Sequence, residues 1–141
     1  MQTFLPYASF TMSAKVLDRQ RLGKQRVEAY QILQCLLGIG CTRWQRHPAV
    51  KMWKGSEPYL AGYALAICNE WIARGYKDTV KQKILSMEIF QPMRMYQQPQ
   101  WLGNKKFHRS HQSNLIRKLP THYRQYFKRV PMTLPYVWPI S

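Results

Sequence analysis

A chain of 141 residues is long enough for one domain with a real core and too short for two comfortable ones. Hydrophobic residues make up 45%, which excludes a disordered basic tail. Lys and Arg number 22 against 6 Asp and Glu, a net charge of +16 whose self-repulsion is offset when a polyanion is bound. Nucleic acid is the first such partner to expect, and an anionic membrane surface the second. No apolar run approaches the roughly 18 residues of a spanning helix. No basic region followed by an apolar block marks a signal peptide. The expectation is a monomeric, cytoplasmic protein that meets DNA and no membrane. Cys35, Cys41 and Cys68 are odd in number and lack CxxC spacing, which predicts reduced, buried thiols.

The opening MQTFLPYASFT is short and lacks periodicity. It predicts an extended arm lying on the first helix, anchored by Phe4 and Leu5. Ser13 to Gly38 reads as one long helix, with Ser13 as N-cap and Gly38 as a left-handed stop. Val16, Val27, Tyr30, Leu33 and Leu37 give it apolar spacing. Pro48, with His47 before it, suits the first turn of a short helix. Ser56 is a candidate cap for a helix from Glu57 to Arg74, closed by Gly75, with a stripe of Leu60, Tyr63, Ala64, Ile67 and Trp71. Asp78 or Thr79 caps a third, reaching to about Phe90. Pro92 and Pro99 mark a loop. A further helix runs from about Asn104 to Leu119, and Pro120 ends it or starts the next piece. The tail VPMTLPYVWPIS is extended and aromatic. Period-two alternation is scarce. The predicted fold is all-α, or mainly α: a single domain over residues 1–141, built of several helices around one long N-terminal helix, with long loops.

The first half of that long helix is crowded with Lys15, Arg19, Arg21, Lys24 and Arg26, and among them stands one carboxylate, Glu28. Arg21, Lys24 and Glu28 fall at i, i+3 and i+7, on one face. A single acid in a basic face suits chemistry on a polyanion; the plain alternative is a solvated face with an ordinary salt bridge. Two-metal hydrolysis needs several converging carboxylates. Glu57 and Asp78 sit at helix starts, Glu70 and Glu88 look solvent-facing, and Asp18 lies about 280° around an ideal helix from Glu28. No metal site and no cofactor is expected. His108 and His111, at i and i+3, share a helix with Arg109, Arg117 and Lys118, and read as a phosphate-gripping face or as packed histidines. Trp44, Trp53, Trp101 and Trp138 either stack on exposed bases or fill the core.

The run LDRQRLGKQRVE, Leu17 to Glu28, resembles the helix motif of the pyrimidine-dimer DNA glycosylases, the phage-type endonuclease V family. The resemblance is strongest over about the first 35 residues. The later FHRSHQSNLIRK and LPYVWP segments are similar to a bacterial and viral branch of it. The resemblance implies a DNA glycosylase with abasic-site lyase activity, acting on duplex DNA with a damaged or modified base. An N-terminal α-amine attacks C1′ of the damaged nucleotide, the base leaves, and an imine links protein to sugar. A Glu on the first long helix assists, and β-elimination then nicks the strand. Carried over, Met1 supplies the nucleophile and Glu28 is the catalytic carboxylate. Arg21 and Arg26 are the nearby phosphate-binding arginines. Arg19, Lys24, His47, His108, Arg109, His111, Arg117 and Lys118 complete the expected DNA-binding set. Two positions depart: the Arg directly before the Glu is Val27 here, and the terminus is Met1-Gln2 where the phage enzyme exposes a small residue. An α-amine suits the role on general grounds, since it titrates near about 7.7–8.0, far below the about 10.4 of Lys. The alternatives are a non-catalytic basic nucleic-acid-binding protein, or a metal-dependent nuclease built on His47, His108 and His111.

Overall fold

A computed structural model describes residues 1–40 and 43–139. Among the described residues there are seven helices and no strand, so the fold is all-α. They are α1 (Phe10–Val16), α2 (Arg19–Leu36), α3 (Pro48–Lys51), α4 (Glu57–Ala73), α5 (Val80–Leu85), α6 (Lys105–Lys118) and α7 (Pro120–Tyr123).

The expected single helix from Ser13 is two helices. Leu17 and Asp18 are extended, and Asp18 caps α2 by accepting the Arg21 N–H at 3.3 Å. Asp18 also pairs with the Arg21 guanidinium at 3.2 Å and accepts the Tyr123 hydroxyl. An Asp at an N-cap satisfies one of the orphan N–H groups that a helix start leaves open. Ser13 is no cap: it lies inside α1, and its hydroxyl donates to the Tyr7 carbonyl at 3.0 Å. Gly38 does end α2 with a left-handed φ of 72°.

α2 packs on α4 through Leu22, Ala29, Ile32 and Leu33 on one side and Leu60, Tyr63, Ala64 and Ile67 on the other, all fully buried. Gly23 lets the Trp71 ring close on α2, because a Cβ there would meet that ring at 2.9 Å. α5 is shorter than expected and stops at Leu85; of the two candidate caps, Thr79 holds the N-cap position without a side-chain bond, and the Asp78 carboxylate before it accepts from Val80 at 3.2 Å and Lys81 at 2.8 Å. Trp53 and Trp101 fill the core edge to face, with centroids 4.8 Å apart. Cys68 is a free buried thiol, whereas Cys35 is disulfide-bonded, against the expectation of reduced thiols; Cys41 lies outside the described residues.

The C-terminal tail is strapped to α6. Ser113 donates to the Pro131 carbonyl at 2.6 Å and accepts the Leu134 N–H at 3.0 Å. Arg117 donates to the Met132 and Leu134 carbonyls at 2.8 and 2.9 Å.

Candidate active site

The site begins with the first five residues. They run extended across α2, and their backbone groups are taken up by side chains. The Gln2 N–H donates to Glu28 Oε2 at 2.9 Å. Gln25 Nε2 donates to the Gln2 carbonyl at 2.8 Å, and Gln25 Oε1 accepts the Phe4 N–H at 3.0 Å. The buried Tyr63 hydroxyl donates to that same oxygen at 2.6 Å and stands 2.7 Å from the Phe4 carbonyl. Thr3 accepts the Trp53 indole N–H at 3.2 Å. Buried backbone polar groups must be paired, and here helix side chains do what a neighbouring strand would do in a sheet.

His108 and His111 finish the clamp. His108 Nδ1 donates to the Leu5 carbonyl at 2.8 Å, while its Nε2 accepts the Gly103 N–H at 2.9 Å. His111 Nδ1 accepts the Leu5 N–H at 2.9 Å. The two rings are only 7% and 1% exposed, so they cannot form the phosphate-gripping face that the i, i+3 spacing suggested. A metal role fails on the same geometry: both nitrogens of His108 are already bonded. Burial holds His108 below the usual imidazole range and pushes His111 down to about 3, with His108 adding to the second effect. Both rings are therefore neutral, with opposite tautomers that match the N–H and C=O of one residue.

That pairing predicts an acid dependence. A group whose folded pKa is depressed binds fewer protons folded than unfolded, so stability falls as pH drops from about 6.5 toward the His111 value of about 3. Asp18 and Asp78 shift the same way. Burial alone would raise both carboxylates, but Tyr123 and Arg21 outweigh it at Asp18, and the Lys81 and Val80 N–H groups with Arg26 outweigh it at Asp78. Their loss begins only below about 4. Urea melts should thus show a midpoint that falls between pH 7 and pH 5, and a flat midpoint there overturns the neutral clamp. His111→Asn keeps an acceptor for Leu5 and should shrink that fall to the part that His108 and His47 still contribute. His111→Leu leaves the Leu5 N–H unpaired and should cost about 1–3 kcal/mol.

Beyond the clamp, the chain's first residue opens on a cleft of about 300 Å³ lined by Met1, Arg21, Lys24, Glu28 and Lys118, with Gln2, Phe4, Gln20 and Gln25 behind them. Glu28 is the single carboxylate among these lining residues. Its side chain is 13% exposed, with Oε2 held by Gln2 and Oε1 facing the Lys24 ammonium at 3.8 Å. Lys24 is 75% exposed, so that pair is loose and screened. His47 caps α3 by accepting the Ala49 N–H at 3.0 Å. Burial first, then the positive N-terminal amine, lower its pKa, while the Glu28 carboxylate opposes them.

The structure brings Met1, Arg21, Lys24, Glu28 and Lys118 to one cleft and sets other expected residues elsewhere. Arg26 turns away, into an ion pair with the buried Asp78 and over the Trp71 ring at 4.5 Å. Such a desolvated pair locks α2 to the α5 cap and leaves the guanidinium little freedom for DNA. Arg19 is exposed beside Tyr76, Arg109 is exposed on α6, and Arg117 spends its donors on the tail. Sequence reasoning missed Gln25, Tyr63 and Tyr136, whose ring packs 4.6 Å from that of His111. Gln25 had a signal. It stands between Leu22 and Ala29 on the buried stripe of α2, and a polar residue in such a stripe must have a built partner.

Met1, one carboxylate and a basic rim thus meet at one cleft, at the end of a clamped arm, and their charge suits an anionic ligand. The family comparison agrees: residues 1–84 match the family model described as pyrimidine dimer DNA glycosylase. That is more than half of the 141 residues, and the chain belongs to this family of DNA-repair glycosylases, with DNA as the partner the family implies. Neither the curated proteins nor the solved structures compared with the chain gave a match. Met1, Arg21, Lys24, Glu28 and His47 lie within the matched stretch; Lys118 and the histidine clamp lie beyond it. No helix among the described residues is long and apolar enough to cross a membrane.

Proposed function

We propose that the protein is a DNA glycosylase with abasic-site lyase activity that works through its Met1 α-amine and Glu28. The observation that carries this is the 2.9 Å bond from the Gln2 N–H to Glu28 Oε2, which ties the residue after the amine directly to the carboxylate. The amine lone pair attacks C1′, the glycosidic bond breaks, and the base leaves with a proton. The sugar ring then opens and the amine loses its protons to give an imine. Glu28 stabilises the sugar cation and carries protons between these steps. Removal of a C2′ proton expels the 3′ phosphate and nicks the strand. Arg21, Lys24 and Lys118 hold phosphates around the cleft.

Borohydride reduction on an abasic duplex tests the reading, because only an imine is trapped as a stable protein–DNA adduct. An adduct is the expected result. Its absence leaves a basic protein that binds DNA without this chemistry.

Phosphate contact has its own measurement. Log affinity for duplex DNA should fall with log salt by roughly 0.9 per neutralised phosphate. Lys118→Gln should lower that slope by about one contact's worth, and an unchanged slope would remove Lys118 from the footprint.

A further inference from the structure

The side of α6 that faces away from the cleft carries a second basic surface. Lys105, Arg109 and Gln112 stand at i, i+4 and i+7, within about 60° of one another around the helix. Lys118, nine residues past Arg109, is about 180° round from it. The arm reaches both sides. Met1, Gln2 and Phe4 line the cleft, whereas Pro6 and Tyr7 line a separate cavity of about 450 Å³ together with Lys105, Arg109, Arg129 and Val130.

The floor of this cavity is apolar. The half-buried Tyr7 ring packs with its centroid 5.9 Å from that of Phe127, and Pro6 and Val130 complete the floor. The Arg124 guanidinium holds Val130 in place by donating to its carbonyl at 2.7 Å. The rim is cationic. Lys105, Arg109 and Arg129 are exposed, and none of them pairs with a carboxylate among the described residues. Gln112 Nε2 donates to the Pro6 carbonyl at 2.7 Å, which leaves its Oε1 to accept an N–H from a ligand. No carboxylate lines the cavity.

This combination suits a protein segment better than a nucleic acid. Duplex DNA held by its phosphates engages cations and gains nothing from an apolar floor. A single strand needs open aromatic faces on which bases stack. Here the Tyr7 ring lies against Phe127, and His108 is buried in the clamp. Carboxylates, by contrast, meet guanidinium groups in a two-pronged fork, and an apolar side chain beside them can be buried on the floor. Exposed apolar surface with a polar rim is a mark of protein docking sites.

We propose that this cavity docks an acidic peptide of a partner protein, a segment that sets several carboxylates beside one large apolar side chain. The apolar side chain enters between Pro6, Tyr7 and Val130. The carboxylates pair with Arg109, Arg129 and Lys105. Since the cavity and the cleft lie on opposite sides of α6, the partner and DNA are held at the same time.

Fluorescence anisotropy with the labelled peptide Asp-Asp-Asp-Asp-Phe tests this, in about 0.15 M salt, where exposed charges more than about 8 Å apart are largely screened. The peptide Asp-Asp-Asp-Asp-Ala should bind about ten-fold more weakly, the loss expected when a buried Phe side chain is removed. Arg109→Gln with Arg129→Gln should weaken the Phe peptide about ten-fold or more and change affinity for a tetrahydrofuran-containing duplex by less than about two-fold. Both side chains are exposed, and an unchanged melting temperature verifies the fold. Lys118→Gln should leave peptide binding unchanged. Saturating duplex should leave the peptide bound, as a ternary complex with wild-type protein. No measurable binding of the Phe peptide, equal affinity for the two peptides, displacement of the peptide by duplex, or full peptide binding by the double variant overturns the proposal. A double variant that loses a single-stranded oligonucleotide and keeps the peptide assigns the cavity to nucleic acid, and overturns it as well. None of these outcomes depends on imine formation at the cleft.

Discussion

An uncleaved extension ahead of Met1 abolishes imine trapping on abasic DNA, while the same extension after Ser141 does not. This is the largest effect expected of any change to the chain. The arm from Gln2 to Pro6 is bonded at nearly every backbone group, so the amine has little freedom to adjust. An added residue converts the amine to an amide and moves the new terminus by several Å, where a 1 Å error already costs about 10²-fold. Met1 should be retained in cells, because methionine aminopeptidases act when the second residue is small and Gln2 is large. Retention also protects the site, since an exposed N-terminal Gln cyclises onto its own amine. Mass spectrometry of the trapped adduct should place the sugar on the peptide that begins at Met1. An adduct on Lys24, the cleft's exposed lysine beside Glu28, or full trapping with the terminus blocked, refutes the assignment.

Glu28→Gln should lose base excision by on the order of 10²-fold or more while keeping the fold and DNA binding. The amide preserves the shape and still accepts the Gln2 N–H through its carbonyl oxygen. It removes the negative charge that opposes the sugar cation, and it removes the proton carrier. Thermal melting separates this from a structural effect, because the loose Lys24 pair contributes at most a few tenths of a kcal/mol. A variant that excises normally reduces Glu28 to a helix-face ion pair, and the mechanism fails with it. The ordering of the arm should also be read in the same variant, by protection of the Gln2 and Phe4 amides from hydrogen exchange. Unchanged protection with lost excision is the signature of a chemical role.

The helical class was legible because its signal is local. Apolar spacing marked α4, Asn104 marked the start of α6, and Gly38 and Gly75 marked helix ends with φ values of 72° and 93°. The break at Asp18 was missed although its cap residue was in view. A charged stretch carries no apolar period, so nothing there forced a phase change to be noticed. Glu28 stood out for a different reason: it is an isolated acid among cations, and the resemblance to known glycosylases pointed to the same residue.

The sequence by itself determined the helical class, the basic charge, and the face of α2 that carries Arg21, Lys24 and Glu28. These depend on neighbours within two turns of one helix, so chain spacing is enough to read them. Only the tertiary structure decided which of the basic and histidine residues face the cleft. Arg26 and Arg21 are five residues apart, yet one is committed to Asp78 at the α5 cap and the other to the cleft wall. His108 and His111 fit a phosphate-gripping face or packed histidines equally well by spacing, and Leu5, more than 100 residues away, decides for the second by using both rings. A side chain's hydrogen-bond partner is fixed by which distant backbone is buried beside it. That depends on packing between elements, and no local period encodes it.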